Sequence, residues 1–229
     1  MLALALQALV ILGGISAQFS IAALPVLSRS VSGEDGKSGF FIDVILRGGF
    51  LLGGVLSISG LAVGPVLVDW ILGPAYHQVA ELLPWTLFWV VPYVFMLSLN
   101  SVVVALGHYN WNAIAYFIGA TVFTLAAFPL LHYFGILGIV WAIGAGLFAV
   151  NLAQLYILGR SFHIDYDRAV FRPLGVVLSS IFLCTRFAEL NAWALLLLGL
   201  LALSLTTLMA GVVRKKEIQY LRALLNKAA

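Results

Sequence analysis

The chain has 229 residues, a formal net charge of +3 and a mean hydropathy of +1.10, with 63% hydrophobic and only 9% charged residues. A soluble domain carries about 25% charged residues, so this composition excludes an ordinary water-soluble globular domain. The single cysteine, Cys184, excludes an internal disulfide and a cysteine-rich metal site.

Apolar runs close to the length of a bilayer-spanning helix recur along the chain and predict seven helices. They lie at about 4–27, 44–72, 82–106, 111–131, 139–158, 173–189 and 192–213. The sequence therefore predicts an all-α polytopic membrane helix bundle.

Glycine, proline and asparagine mark the breaks between these helices. A short amphipathic piece at 39–47 leads into the second helix, and Gly73-Pro74 closes it, because proline cannot continue a helix and glycine permits the turn. Pro92 lies inside the third helix, where a proline often causes a bend. Gly135–Gly138 predicts a tight turn, and Asn191 separates the last two helices.

Basic residues fall almost entirely on one side of this arrangement. With alternating loops, one side receives 28–47, 107–110, 159–172 and the tail from 214, which together carry eleven of the twelve lysines and arginines. Only Arg186 falls elsewhere. Positively charged loops stay in the cytoplasm, so the C-terminus is predicted to be cytoplasmic and Met1 to lie outside. An outside start predicts a missing upstream half with an odd number of helices.

The sequence contains no zinc-protease, phosphate-loop or nucleophile-elbow motif, and we expect no enzyme activity, cofactor or metal site. The histidines fall at predicted helix ends or loops, where capping or solvation is their ordinary role; they are His77, His108, His132 and His163. Tryptophans near the helix ends indicate an aromatic belt rather than a sugar platform. The basic tail predicts a tether to anionic lipid, not a nucleic-acid site.

Small residues at helical spacing predict close helix contacts. Gly49 and Gly53 are four residues apart, as are Ala142 and Gly146. Such pairs let two helix backbones approach. Simple tight packing and the packing of movable bundles both fit this pattern.

Polar residues inside the apolar helices are the candidate binding residues. They are Gln7 and Gln18 on the first helix, Ser98, Asn100 and Ser101 on the third, and Asn151 and Gln154 on the fifth. They could form hydrogen bonds between helices or line a cavity. Arg47, about one turn inside the second helix, could extend to the lipid headgroups or pair with an anion in a cavity.

Four short segments resemble those of the lipid-linked polysaccharide flippases, which are related to the multidrug and toxin extrusion (MATE) exporters. In order they are ALPVLSRSVS with the following Gly33-Glu34-Asp35, ILGPAYHQVA at 71–80, Ala-Leu-Gly at 105–107 and YFGILG at 133–138. The resemblance covers about residues 20–160.

The resemblance implies most of the second lobe of a MATE-like flippase plus two extra helices, with a missing N-terminal lobe as partner. The implied parts are a five-helix part of that lobe at 1–159, a cytoplasmic loop at 160–173, two additional helices at 174–213 and a basic cytoplasmic tail at 214–229. The implied location is the bacterial cytoplasmic membrane.

The implied function is the movement of a polyprenyl-pyrophosphate-linked oligosaccharide across the membrane by alternating access. For substrate binding we expect Arg47 to offset charge and the polar residues Gln18, Asn100, Asn151 and Gln154 to contact sugars. The alternatives are half of a cation-coupled multidrug exporter, a membrane-bound glycan ligase or polymerase, and a non-transporting scaffold or truncated product.

Overall fold

The computed structural model describes residues 2–32, 38–161, 165–187 and 191–212, and within these ranges it is helical throughout, without strands. The α-helices are α1 (Leu2–Ser32), α2 (Ser38–Ile71), α3 (His77–Phe88), α4 (Val90–Ala105), α5 (Tyr109–Phe134), α6 (Ile136–Ser161), α7 (Arg172–Arg186) and α8 (Ala192–Met209). A 3₁₀ turn, Pro74–Tyr76, precedes α3, and a turn of π-helix, Asp167–Phe171, precedes α7.

These helices form a multi-pass membrane bundle, which confirms the predicted fold class. Five described helices are long and apolar enough to cross a bilayer, and the number rises to six if α3 and α4, bent by 42° at their break, form one span. The first predicted span corresponds to α1, a helix of 31 residues whose segment Leu2–Gln18 is apolar.

Several predicted boundaries were wrong because proline and polar residues interrupt the helices less than expected. Helix α1 continues through Pro25 to Ser32. Helix α2 already begins at Ser38, so the expected amphipathic lead-in is its first turns. Its 34 residues rise about 50 Å at 1.5 Å per residue, which exceeds a hydrocarbon core of about 30 Å. The Gly33-Glu34-Asp35 segment and the basic tail lie outside the described residues.

The expected bend in the third span is a break at Trp89. Pro92 has no backbone N–H, so it cannot bond to the carbonyl of Phe88, one turn earlier. At the break, the Trp89 N–H donates to Thr86 O at 3.1 Å, as in a tighter turn. Helix α3 begins at His77, five residues before the predicted start near 82.

Glycine in the left-handed region ends α4 and α8 in the same way. Gly107 has φ of 75°, and Gly211 has φ of 61°. After α4, His108 N donates to Val103 O at 3.1 Å; after α8, Val212 N donates to Thr207 O at 3.2 Å. These bonds satisfy carbonyls that the helix end would leave without partners.

Helix α2 lies at the centre of the bundle and contacts α1, α3, α4, α7 and α8. The Phe50 ring of α2 stacks on the Phe95 ring of α4, with ring centroids 3.8 Å apart. The expected close approach occurs at Gly53, where an added Cβ would lie 3.0 Å from Val91 Cα. The largest core cluster joins residues of α2, α4, α7 and α8.

Helices α5 and α6 form an antiparallel hairpin that packs on α4, mainly through α6. The two backbones meet at Gly119 and Gly146, where an added Cβ on Gly146 would lie 3.0 Å from the Gly119 oxygen. The hairpin turns at Gly135, so the turn is shorter than the predicted Gly135–Gly138.

Basic side chains gather at one end of the bundle, which we call the basic end. Arg47 Nη1 donates to Val212 O at 2.7 Å, and Arg172 Nη1 donates to Ala210 O at 3.5 Å, so the start of α2, the start of α7 and the end of α8 lie together. Helix α6 reaches this end with Arg160 in its last turn.

Replacing Gly138 by alanine tests the tight α5–α6 turn. The added Cβ would overlap the backbone carbonyl of Leu130. Backbone cannot move aside cheaply, so we expect the free energy of unfolding to fall by about 1–3 kcal/mol. The control is Gly48→Ala in α2, where the added Cβ meets nothing within 4 Å. Its stability should stay within about 1 kcal/mol of wild type in detergent unfolding curves; equal losses in both variants would contradict the packing.

Candidate functional site

Three amide side chains form a hydrogen-bonded chain between α4, α5 and α6. Asn112 Nδ2 donates to Asn100 Oδ1 at 2.6 Å, and Gln154 Nε2 donates to Asn112 Oδ1 at 2.8 Å. We call Asn100, Asn112, Asn151 and Gln154 the amide cluster. In a membrane bundle such bonds join helices that have no hydrophobic reason to prefer each other over lipid.

Local sequence brings the three amides together. The Gly107 turn sends α5 back along α4, so Asn100 and Asn112, twelve residues apart, face each other. The Gly135 turn sends α6 back along α5, and its Gln154 reaches Asn112 from 42 residues away. Glycines at Gly119 and Gly146 allow α5 and α6 to lie close enough for this contact.

Two oxygens of the amide cluster have no hydrogen-bond partner in the part of the chain that the structure describes. They are Asn151 Oδ1 and Gln154 Oε1. Asn151 is 5% exposed and Gln154 0%. A buried acceptor without a donor costs about 1–3 kcal/mol, so these atoms favour any state in which a donor reaches them.

The amide cluster contains no charged side chain. The Tyr116 hydroxyl interacts with the Gln154 side chain and lies near Tyr93. The described acidic residues lie towards helix ends or in connections, at Asp43, Asp69, Glu81, Asp165 and Asp167. Within the described residues, no three His, Cys, Asp or Glu side chains are grouped to hold a metal.

The amide nitrogen of Asn151 bonds to α4 close to the helix break. Asn151 Nδ2 donates to the backbone oxygen of Pro92 at 2.9 Å. On the opposite side, Ser57 Oγ of α2 donates to Leu87 O at 2.9 Å. Two neighbouring helices thus supply donors to backbone carbonyls on both sides of the break, where lipid could supply none.

The structure brings together three of the five predicted binding residues. Asn100, Asn151 and Gln154 lie in the amide cluster. Gln18 is exposed on α1 and makes no described contact with the cluster. Ser98 and Ser101 donate to carbonyls of their own helix, at Val94 and Leu97.

Arg47 lies at the basic end, apart from the amide cluster. Its side chain is only 7% exposed. In addition to Val212 O, it donates to Asp43 O at 3.1 Å, and its guanidinium lies 3.8 Å from the Asp43 carboxylate. Through these bonds the guanidinium joins α2 to the end of α8.

Sequence reasoning missed Asn112 and Ser57. Asn112 lies at the start of the predicted helix at 111–131, and it was not among the candidate binding residues. A polar residue within one turn of a predicted helix start, facing Asn100 across a short hairpin, was the available signal. Ser57 had no distinguishing signal, because serine is common inside spanning helices.

Aromatic side chains surround an apolar cleft of about 190 Å³ beside the helix break. Trp85 and Trp89 both lie against Trp141, with ring centroids 6.0 and 5.5 Å apart. The Trp89 indole lies directly over Gly144 of α6, where a Cβ would overlap it. These contacts hold the break against α6 and explain why Trp89 lies deeper than the expected aromatic belt.

Comparison with known proteins found no matching family model, no similar curated protein and no similar solved structure.

Replacing Ser57 by alanine tests the support of the helix break. Leu87 O would lose the Ser57 hydroxyl as a donor, and we expect a loss of about 1 kcal/mol in the free energy of unfolding in detergent. Ser59→Ala, two residues along α2, is the control, since the Ser59 side chain makes no described hydrogen bond to another helix. If the two variants unfold alike, the Ser57 bond does not stabilise the break.

Proposed function

We propose that this chain forms part of a transporter that moves a polyprenyl-pyrophosphate-linked oligosaccharide across the bacterial cytoplasmic membrane by alternating access. The observation that carries the proposal is the buried amide cluster with its two free oxygens. The four motifs between about residues 20 and 160 support it by resemblance.

The chemistry of the amide cluster suits an uncharged, hydroxyl-rich cargo. Asn151 Oδ1 and Gln154 Oε1 are acceptors, and sugar hydroxyls are donors. A polar residue inside a spanning helix costs free energy, and such residues usually belong to a transport pathway or a binding site. A neutral amide can bind a hydroxyl without placing a charge in the bilayer.

Alternating access accounts for the enclosure of these oxygens. In the present conformation the Gln154 side chain is fully buried. Cargo would reach it when the α5–α6 hairpin separates from α4, and closing would bury the site again. Broken helices such as α3–α4 are frequent at the binding sites of transporters.

A cation-coupled drug exporter is the second candidate. Such a protein needs a carboxylate within the membrane to bind the cation. The described acidic residues lie towards helix ends or in connections, which favours the uncharged cargo. A glycan ligase or polymerase and a non-transporting scaffold are separated from the proposal by the experiment below.

The test measures binding and transfer of one cargo. We expect the purified chain to bind a fluorescent polyprenyl-pyrophosphate oligosaccharide more tightly than the same lipid without sugar. Asn151→Leu and Gln154→Leu should each weaken binding about fivefold, as expected for one lost hydrogen bond. Asn110→Leu, an exposed site two residues before Asn112, is the control.

Thermal unfolding of each variant separates weak binding from misfolding. Equal affinity for the sugar-free lipid would contradict recognition of sugar. Transfer across proteoliposomes, followed by quenching of the outer-leaflet label, tests transport itself. Binding without transfer, even together with an N-terminal lobe, would indicate a scaffold, and a changed glycan would indicate an enzyme.

The proposed orientation puts the basic end in the cytoplasm. In a Cys184→Ser background, we expect Gln78→Cys, exposed in the first turn of α3, to react with a membrane-impermeant maleimide on intact cells. Asn110→Cys, exposed in the first turn of α5, should react only after the cells are opened. The reverse pattern would contradict the orientation that the positive-inside rule predicts.

A further inference from the structure

The α5–α6 hairpin carries an apolar groove of about 450 Å³ along its surface. Small residues form part of its lining, at Ala115, Ala149 and Ala153. Larger side chains flank them, and these are Trp111, Ile114, Ile118, Leu152, Tyr156 and Ile157. Several remain well exposed, with Trp111 at 54%, Leu152 at 52% and Tyr156 at 61%, so the groove opens to the surroundings of the bundle.

The positively charged side chain of Arg160 lies at the end of this groove. Arg160 lies one turn beyond Tyr156 on α6, and its guanidinium carbon lies 4.7 Å from the centroid of the Tyr156 ring. The ring holds the guanidinium in place by cation–π attraction. Among the described residues Arg160 has no carboxylate within ion-pair distance, unlike Arg168 and Arg172 at the same end of the bundle.

We propose that this groove binds a single anionic phospholipid, with one acyl chain along α5 and α6 and its phosphate on Arg160. The groove lies on two helices long and apolar enough to span a bilayer, so lipid is its natural neighbour. The apolar lining fits a hydrocarbon chain, and the cation at the basic end complements a negatively charged headgroup. A guanidinium binds phosphate oxygens in a fixed two-pronged geometry.

Charge complementarity selects this occupant over others. An apolar helix of a partner or of a second copy would fill the groove but leave Arg160 without a counter-ion. A free anion would bind Arg160 without using the groove. An anionic lipid satisfies both surfaces with one molecule. The inference is independent of the proposed transport function, because it concerns the surface of the hairpin and not the amide cluster.

The experiment uses the full chain purified in detergent and titrated with dioleoyl phosphatidylglycerol or dioleoyl phosphatidylcholine. Native mass spectrometry counts bound lipids, and thermal unfolding reports stabilisation. We expect one phosphatidylglycerol to bind more tightly than phosphatidylcholine. Arg160→Gln should weaken phosphatidylglycerol binding about fivefold and leave phosphatidylcholine binding unchanged.

Two further variants separate the groove from the charge. Ala149→Leu places a larger side chain in the groove and should weaken the binding of both lipids, while unfolding curves without lipid check that the protein folds. Arg186→Gln is the matched control, because Arg186 stacks over Phe182 at 5.4 Å but contributes nothing to this groove. It should bind lipid as wild type does.

Four results would overturn the proposal. One is unchanged phosphatidylglycerol binding in Arg160→Gln, and another is an equal loss in Arg186→Gln. The third is a dimer in which a second copy fills the groove. Added lipid would not dissociate such a dimer, but Ala149→Leu would. Competition by glycerol phosphate alone, as effective as competition by the lipid, would show that the anion binds without its chain.

Discussion

The helix break at Trp89 is the constraint on which the rest of this bundle depends. In a bilayer, backbone groups near a break have no water to bond, so donors there must come from the protein. Ser57 and Asn151 donate from two different helices to Leu87 O and Pro92 O, which lie on either side of the break along the chain. Helices α2 and α6 therefore both pack against α3 and α4. The polar bonds fix the arrangement that hydrophobic packing against lipid would leave open.

Asn151 connects the break to the amide cluster. It shares one face of α6 with Gln154, three residues further on, so a displacement of α6 would disturb both the support of the break and the Gln154–Asn112 bond. Below Trp89, Gly144 lets the indole lie against the same helix. Helix α6 thus carries three contacts: Gly144 packs against Trp89, Asn151 bonds to Pro92 O, and Gln154 bonds to Asn112. Motion of the α5–α6 hairpin would change these contacts together, which is how a bundle can have two discrete arrangements.

Much of this follows from sequence because lipid imposes strong rules. Apolar length gave the spans, Gly73 and Asn191 marked breaks correctly, and polar residues in apolar runs pointed to Asn100, Asn151 and Gln154. Contacts between elements that are far apart in the sequence could not be predicted from it. The bond from Arg47 to Val212 O joins residues 165 positions apart, which the sequence pattern could not show. The burial of Asn112 depends on how the next helix packs, which its position near a helix start does not show. Helix α1 continues past its predicted end near residue 27, because a proline does not always stop a spanning helix.

Charge and neutral polarity are separated along this bundle, and the separation follows from the energy of burial. A guanidinium deep in hydrocarbon is costly, whereas an amide can be accommodated by one or two hydrogen bonds. Arg160 and Arg172 accordingly lie at the basic end, while Gln154 lies buried among α4, α5 and α6. A ligand with both an anionic and a hydroxyl-rich part would meet these two kinds of surface at different depths. The proposed anion site on Arg160 accordingly lies at the basic end, and the proposed site for uncharged donors lies in the interior.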